Sequence, residues 1–165
     1  MIRTGKAAAV ALGILLATAP SLAAVPPPDS MDTTIADFAA FAAGFMRGQG
    51  LKRATRAEMI RPQLAVTSAA QFPTLAGDAP AARRSKGLAA GLGVLTFTGP
   101  QGRGFFKGGH NDSTGNIWVC LERGQRCVVI LSNDVRAEAA FPALVESILG
   151  PTGLPWRCEY PSLSD

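Results

Sequence analysis

The stretch FFKGGHNDSTGN, residues 105–116, gathers the residue types best suited to chemistry. Two phenylalanines lead into Lys107, then Gly108 and Gly109, then His110, the chain's single histidine. A lysine held between a strand and a glycine turn can hold an anion, because its ammonium carries charge and glycine lets a ligand approach the backbone. The same lysine also reads as a strand-end side chain reaching solvent. His110 has the chemistry of a general base. Ser113 is the nearest hydroxyl in sequence, but H-x-x-S is not a recognised catalytic spacing. A loop histidine making ordinary hydrogen bonds is the other reading. Residues 111–116 are turn-formers that would reverse the chain between two strands.

Three strand candidates read as a small antiparallel sheet of about three strands: Leu88–Thr98, the short Gly104–Lys107, and a hairpin of Asn116–Leu121 with Arg126–Leu131. In the hairpin Ile117, Val119, Val128 and Ile130 share one face, and Trp118, Cys120, Cys127 and Val129 share the other. Both faces are apolar, so the sheet requires cover on both sides. If Arg123-Gly124 forms the turn, Cys120 and Cys127 lie opposite each other, and slight closure would let them bridge. The alternative is two small buried hydrophobes. Ahead of the sheet, Thr34 with Asp37 caps a helix carrying Ile35, Phe38, Phe41 or Ala42, and Phe45, and Gly48 and Gly50 stop it. Thr55 with Glu58 marks a second, short helix that Pro62 ends. Residues 63–87 read as a long irregular loop. After the sheet, Asn133 or Asp134 caps a last helix with an apolar stripe of Val135, Leu144, Val145 and Ile148, ended by Gly150-Pro151. Trp156 and Tyr160 are expected to pin the tail. Phe38, Phe41, Phe45, Phe105 and Phe106 are expected in the core. The order is α+β, with helices before the sheet and a C-terminal helix after it.

The chain opens with Arg3 and Lys6, an apolar run from Ala7 to Ala17, and Ser21-Leu22-Ala23, the order of a secretory signal peptide over residues 1–23. A Pro-rich leader, 24–30, follows, leaving 31–165 as the domain. Cleavage would remove two of the sixteen basic residues and lower the net charge from +4 to +2, leaving no membrane anchor. Periplasmic or secreted localisation follows as an expectation, in a compartment that permits disulfides among Cys120, Cys127 and Cys158. Arg47, Lys52, Arg53, Arg56 and Arg61 cluster, but Glu58 sits among them and no aromatic residue is interleaved to stack a base, so a nucleic-acid partner is not expected. One histidine and no C-x-x-C pair argue against a metal site, and nothing calls for another cofactor.

From residue 31 to 160 the chain resembles the C-terminal portion of the β-lactamase-related serine hydrolases, the superfamily of class C β-lactamases, penicillin-binding proteins and related esterases. The residues that carry the likeness are Thr34-Ile35-Ala36-Asp37-Phe38-Ala39, Gln71-Phe72-Pro73, Gly91-Leu92-Gly93, Phe105-Phe106-Lys107-Gly108-Gly109-His110, Thr114-Gly115-Asn116 and Val128-Val129-Ile130-Leu131-Ser132-Asn133. The resemblance implies a β-lactamase/transpeptidase-like fragment and a small acyl substrate. It places Lys107-Gly108-Gly109 at the K-[ST]-G strand edge, where the family binds the substrate carboxylate and shapes the oxyanion hole. Gly108 stands where serine or threonine is usual, which leans towards an esterase-like relative.

The family's other two elements are missing. No serine in the sequence is followed by lysine three positions on, and neither Y-x-N nor S-x-N occurs. Ser132-Asn133-Asp134 has those letters in another order and reads as a helix cap. Catalysis needs a positioned nucleophile and base, so no catalytic residue is assigned and the chain alone is expected to be inactive. A complementary hydrolase chain carrying S-x-x-K is the partner this reading implies. The reading from a different class is a small envelope-binding module, stabilised by Cys120–Cys127 and without enzymatic activity.

Overall fold

The computed structural model describes residues 33–70, 77–85, 87–160 and 163. The segments read as a signal peptide and a Pro-rich leader, and Gln71-Phe72-Pro73, lie outside them.

The described chain is α+β, built on one antiparallel six-stranded sheet whose spatial order is its sequence order. The strands are β1 (Leu64–Ala65), β2 (Ala89–Ala90), β3 (Leu95–Gly99), β4 (Gly102–His110), β5 (Gly115–Leu121) and β6 (Arg126–Ser132). The expectation of about three strands is therefore corrected. Leu88–Thr98 is not one strand but two, broken at the Gly91–Gly93 bend, where the Gly91 N–H donates to Val94 O and closes the turn. The region read as irregular supplies β1, which pairs with β2, and an isolated bridge between Ser68 and Asp78. Two-residue strands leave no alternation to read, so they were invisible to a pattern argument.

The β5–β6 hairpin keeps the expected register, with Cys120 opposite Cys127. Residues 122–125 turn the chain through a Gln125 N–H to Glu122 O bond, with Gly124 and Gln125 both at positive φ. The two cysteines form a disulfide, and the backbones close to a Cα–Cα distance of 4.1 Å.

Helix α1 (Ile35–Arg47) starts as its cap signal predicts: the Asp37 N–H donates to Thr34 Oγ1 at 3.1 Å, and Gly48 ends the helix in the left-handed conformation. Helix α2 (Arg53–Met59) does not start at Thr55. Its cap is Lys52, in extended conformation and without a side-chain hydrogen bond, so Thr55 lies inside the first turn. Asp134 accepts from the Arg136 N–H and caps a 3-10 segment, Val135–Ala140, that runs into helix α3 (Phe141–Leu149). Ser132 accepts from the Asp134 N–H, in keeping with the cap reading of that triplet. Helix α4 (Trp156–Glu159) is a single turn. Among the described residues no helix is long and apolar enough to cross a membrane.

Both faces of the sheet are covered, as the two apolar faces of the hairpin require. On one face Ala42, Phe45 and Met46 of α1 pack with Phe105, Trp118 and Cys120. On the other, Phe141, Val145 and Leu149 of α3 pack with Phe106, Ile117, Val119, Val128 and the tail residues Cys158 and Tyr160. Two core assignments are corrected. Phe41 is 54% exposed, stacked on Phe38 at the rim of the first cluster rather than inside it. In α3, Leu144 and Ile148 face solvent while Phe141, Val145 and Leu149 are buried. The buried positions recur every four residues; Val145 is among them as expected, while Leu144 and Ile148 each sit one residue, about 100° around the helix, from a buried position.

Truncating the α1 cap tests the first of these local arguments. Thr34→Ala should lower stability by about 1 kcal/mol, measured by thermal unfolding. Thr34→Ser should lose little, since it keeps the acceptor.

Candidate functional site

Lys107, Gly108, Gly109 and His110 form the last four residues of β4. Pairing with β3 ends at Leu95–Phe106, whereas pairing with β5 continues to His110–Gly115. This segment is therefore flanked by β5 on one side and lies beyond the end of β3 on the other. The strand alternation divides the four residues. Lys107 and Gly109 share the face of Phe105 and α1, while Gly108 and His110 share the face of Phe106 and α3. They form an edge, not a single cluster of side chains.

Lys107 folds back over that edge and donates from Nζ to the carbonyl of Gly108. The carboxyl of Glu159 in α4 packs directly against Gly108. A Cβ at position 108 would lie 2.7 Å from Glu159 Cδ and 2.8 Å from Tyr160 Oη, closer than real Cβ contacts allow. Glycine here is thus dictated by the tail packed against the strand, not by backbone torsion. Gly115 is similar: a Cβ there would meet Glu138 Oε1 at 2.7 Å. Tyr160 is fully buried and its hydroxyl donates to Asn116 O at 2.8 Å.

Two buried carboxyls thus face the end of β4. Glu138 Oε1 is 3.1 Å from His110 Nδ1, which donates when that nitrogen carries the proton. Burial raises the Glu138 pKa above the ordinary carboxylate range, with the charge of His110 and its hydrogen bond opposing the shift. Burial also raises Glu159. The Lys107 ammonium opposes that shift most, followed by His110, while Glu138 adds to it and the Gly108 N–H reduces it. Burial, then the two carboxyls, push the Tyr160 hydroxyl upward. Loss of water around charge is the common cause.

Chemically the arrangement can hold an anion at a lysine edge and store protons on buried carboxyls. The hydroxyl nearest to His110 in sequence, that of Ser113, is held in a turn rather than against a base. The Ser113 hydroxyl donates to Asn111 Oδ1 at 3.1 Å, inside a turn where the same oxygen accepts the Ser113 and Thr114 N–H groups. The nitrogen of His110 described above faces Glu138 instead. Among the described residues no group of three or more His, Cys, Asp or Glu is placed to hold a metal ion.

Sequence reasoning missed Glu138 and Glu159. Glu138 carried a signal: it precedes Phe141, Val145 and Leu149 by three, seven and eleven residues, the spacing of the buried face. Glu159 carried none, because only the tail's folding against Gly108 gives it a role.

The shifts fix a pH dependence. Folded Glu159 and Glu138 bind a proton more tightly than in the unfolded chain. The stability linked to protonation is therefore complete below the unfolded carboxyl value of about 4.3 and is lost as pH rises through the folded values. Glu159→Gln, which keeps the shape without the charge, should stabilise the protein by about 1 kcal/mol at pH 7.5, raising Tm by roughly 4 °C. The gain should vanish at pH 4. Melting curves of both proteins across this range check it, and a Gln variant that is less stable at neutral pH would contradict it.

Compared with known proteins, the chain matches no family model, no curated protein and no solved structure.

Proposed function

We propose that this chain is an exported protein corresponding to the substrate-edge portion of a β-lactamase-related serine hydrolase, without acyl-transfer activity of its own. The observation that carries the reading is the end of β4. A Lys-Gly-Gly-His segment continues past the neighbouring strand, with its lysine folded over the edge onto a backbone carbonyl. The succession of helix, sheet and C-terminal helix agrees with the resemblance drawn from the sequence. In that reading Lys107 holds the carboxylate of a small acyl substrate, and Gly108, Gly109 and His110 line the same edge. A nucleophile would come from a complementary chain carrying S-x-x-K, since this sequence has no such motif.

Turnover of a chromogenic ester tests the proposal. The protein should hydrolyse p-nitrophenyl acetate no faster than its Lys107→Ala variant. Saturable hydrolysis that depends on Lys107 or on one serine would contradict it.

A second reading, a small disulfide-stabilised binding module of the envelope, is favoured by a different observation. Both faces of the sheet are covered by helices of this same chain, and the central hairpin is bridged. A cooperative thermal transition of the isolated protein favours the module. A molten or aggregating chain favours a portion that depends on its partner.

A further inference from the structure

We propose that the outer edge of β6 is the interface of a homodimer, in which two copies of the chain pair β6 with β6 antiparallel about Val129 and join their sheets into one. This interface needs no ligand at Lys107–His110.

The direction of the β6 backbone groups follows from two bonds at the ends of the β4–β5 ladder. The Asn111 N–H donates to Thr114 O beyond the pair His110–Gly115, and the Glu122 N–H donates to Arg103 O beyond the pair Gly104–Leu121. Bonded and non-bonded pairs alternate along an antiparallel ladder, so Asn116, Trp118 and Cys120 bond to β4. Ile117, Val119 and Leu121 then bond to β6, where they face Ile130, Val128 and Arg126. Cys127, Val129 and Leu131 are left with N–H and C=O groups that point away from β5. β6 ends the sheet, and among the described residues these outward groups have no hydrogen-bond partner.

Proteins usually blunt such edges. The opposite edge of this sheet is blunted by shortness, since β1 has two residues. β6 has seven, RCVVILS, without proline, lysine or a break in its register. A long apolar edge of this kind is a template for another strand.

Shape and charge select a second copy as that strand. In self-pairing centred on Val129, Val129 meets the partner's Val129 and Cys127 meets the partner's Leu131. Outward-bonding positions thus meet one another, and the three pairs exchange about six hydrogen bonds. Arg126 meets the partner's Ser132, so no like charges are opposed. Leu131, 37% exposed, enters the groove of about 280 Å³ that Ile35, Ala39 and Ala43 of α1 form with Cys127 and Val129. Arg123 and Arg126 lie at the turn end of β6, whereas Asp112 and Asp134 lie at the other end, with Arg136 paired to Asp134. Antiparallel pairing sets each positive end beside the partner's negative end. Pairing β6 with the partner's β1 instead would engage only the two residues of that strand. The self-complementary arrangement, which closes at two copies, is therefore the one these edges favour.

Analytical ultracentrifugation and hydrogen exchange of the purified protein test the interface. At about 100 μM, where a complex of micromolar Kd is mostly assembled, the protein should sediment as a dimer and dissociate on dilution. The Val129 and Leu131 amides should exchange roughly tenfold or more slowly in the concentrated than in the dilute protein. The Val128 and Ile130 amides, bonded to β5 in either state, should change less. Leu131→Lys puts a lysine at an exposed edge position and, in the dimer, into a groove that Arg47 also lines. It should weaken dimerisation by roughly tenfold or more. The exchange measurement uses the unaltered protein, so it decides the matter even where Leu131→Lys folds poorly. A protein that stays monomeric, that forms open-ended larger species, or that dimerises while its Val129 and Leu131 amides exchange as fast as in the monomer would overturn the proposal.

Discussion

Gly108→Thr is expected to destabilise the protein by about 3 kcal/mol, the upper part of the range for overpacking a filled interior. Under the reading proposed above, the substitution would supply the residue usual in a K-[ST]-G motif, so a sequence argument alone would class it as harmless. The structure says otherwise. The new Cβ would sit 2.7 Å from Glu159 Cδ and 2.8 Å from Tyr160 Oη. Neither neighbour can yield cheaply. Tyr160 is fully buried and bonded to Asn116 O, and Glu159 is itself buried. Expelling the tail would instead surrender the burial of Tyr160, so either response is costly. Tm should fall by roughly 10 °C or more. Adding Glu159→Gly removes one of the two obstacles, and the double variant should recover about 1–2 kcal/mol of the loss, a coupling typical of residues in contact. An unchanged Tm in Gly108→Thr would show that α4 does not pack on β4 as described.

The second large effect concerns the hairpin. Replacing both Cys120 and Cys127 by alanine should cost roughly 2.5 kcal/mol, the chain-entropy value for so short a loop. The bridged residues lie seven apart in sequence. Tm should fall by about 10 °C, and dithiothreitol should produce a similar drop in the unaltered protein while leaving the double variant unaffected. Cys158 cannot take over the pairing, because it is buried with the α3 cluster on the opposite face of the sheet from Cys120. Thiol titration of the denatured, unreduced protein should therefore find one free thiol. Three free thiols, or a double variant as stable as the parent, would contradict this account of the hairpin.

The parts of the fold legible in the sequence were those written in local chemistry. Thr34 and Gly48 announced both ends of α1 because capping acts within one turn. The β5–β6 register was legible because a period of two assigns each side chain to a face, and Cys120 and Cys127 agreed with that assignment. Thr55 misled because a capping-type sequence occurred inside a helix that starts without a side-chain cap. β1 and β2 were too short to show a period, and the phase of α3 was mistaken because Leu144 and Ile148 are apolar yet exposed. Lys107–His110 were legible as a group of residue types, but their partition between two faces and the arrival of Glu159 at Gly108 depend on tertiary packing. Glu159 follows Gly108 by fifty-one residues, and no local pattern records such a contact.

The central claim is that an anion-holding lysine edge is present in a chain with no nucleophile of its own. Intact-mass analysis after incubation with a reactive fluorophosphonate, and separately with a β-lactam, tests it most directly. The account predicts an unmodified mass for the isolated protein under both treatments. A stoichiometric adduct mapped to a serine of this chain would contradict it.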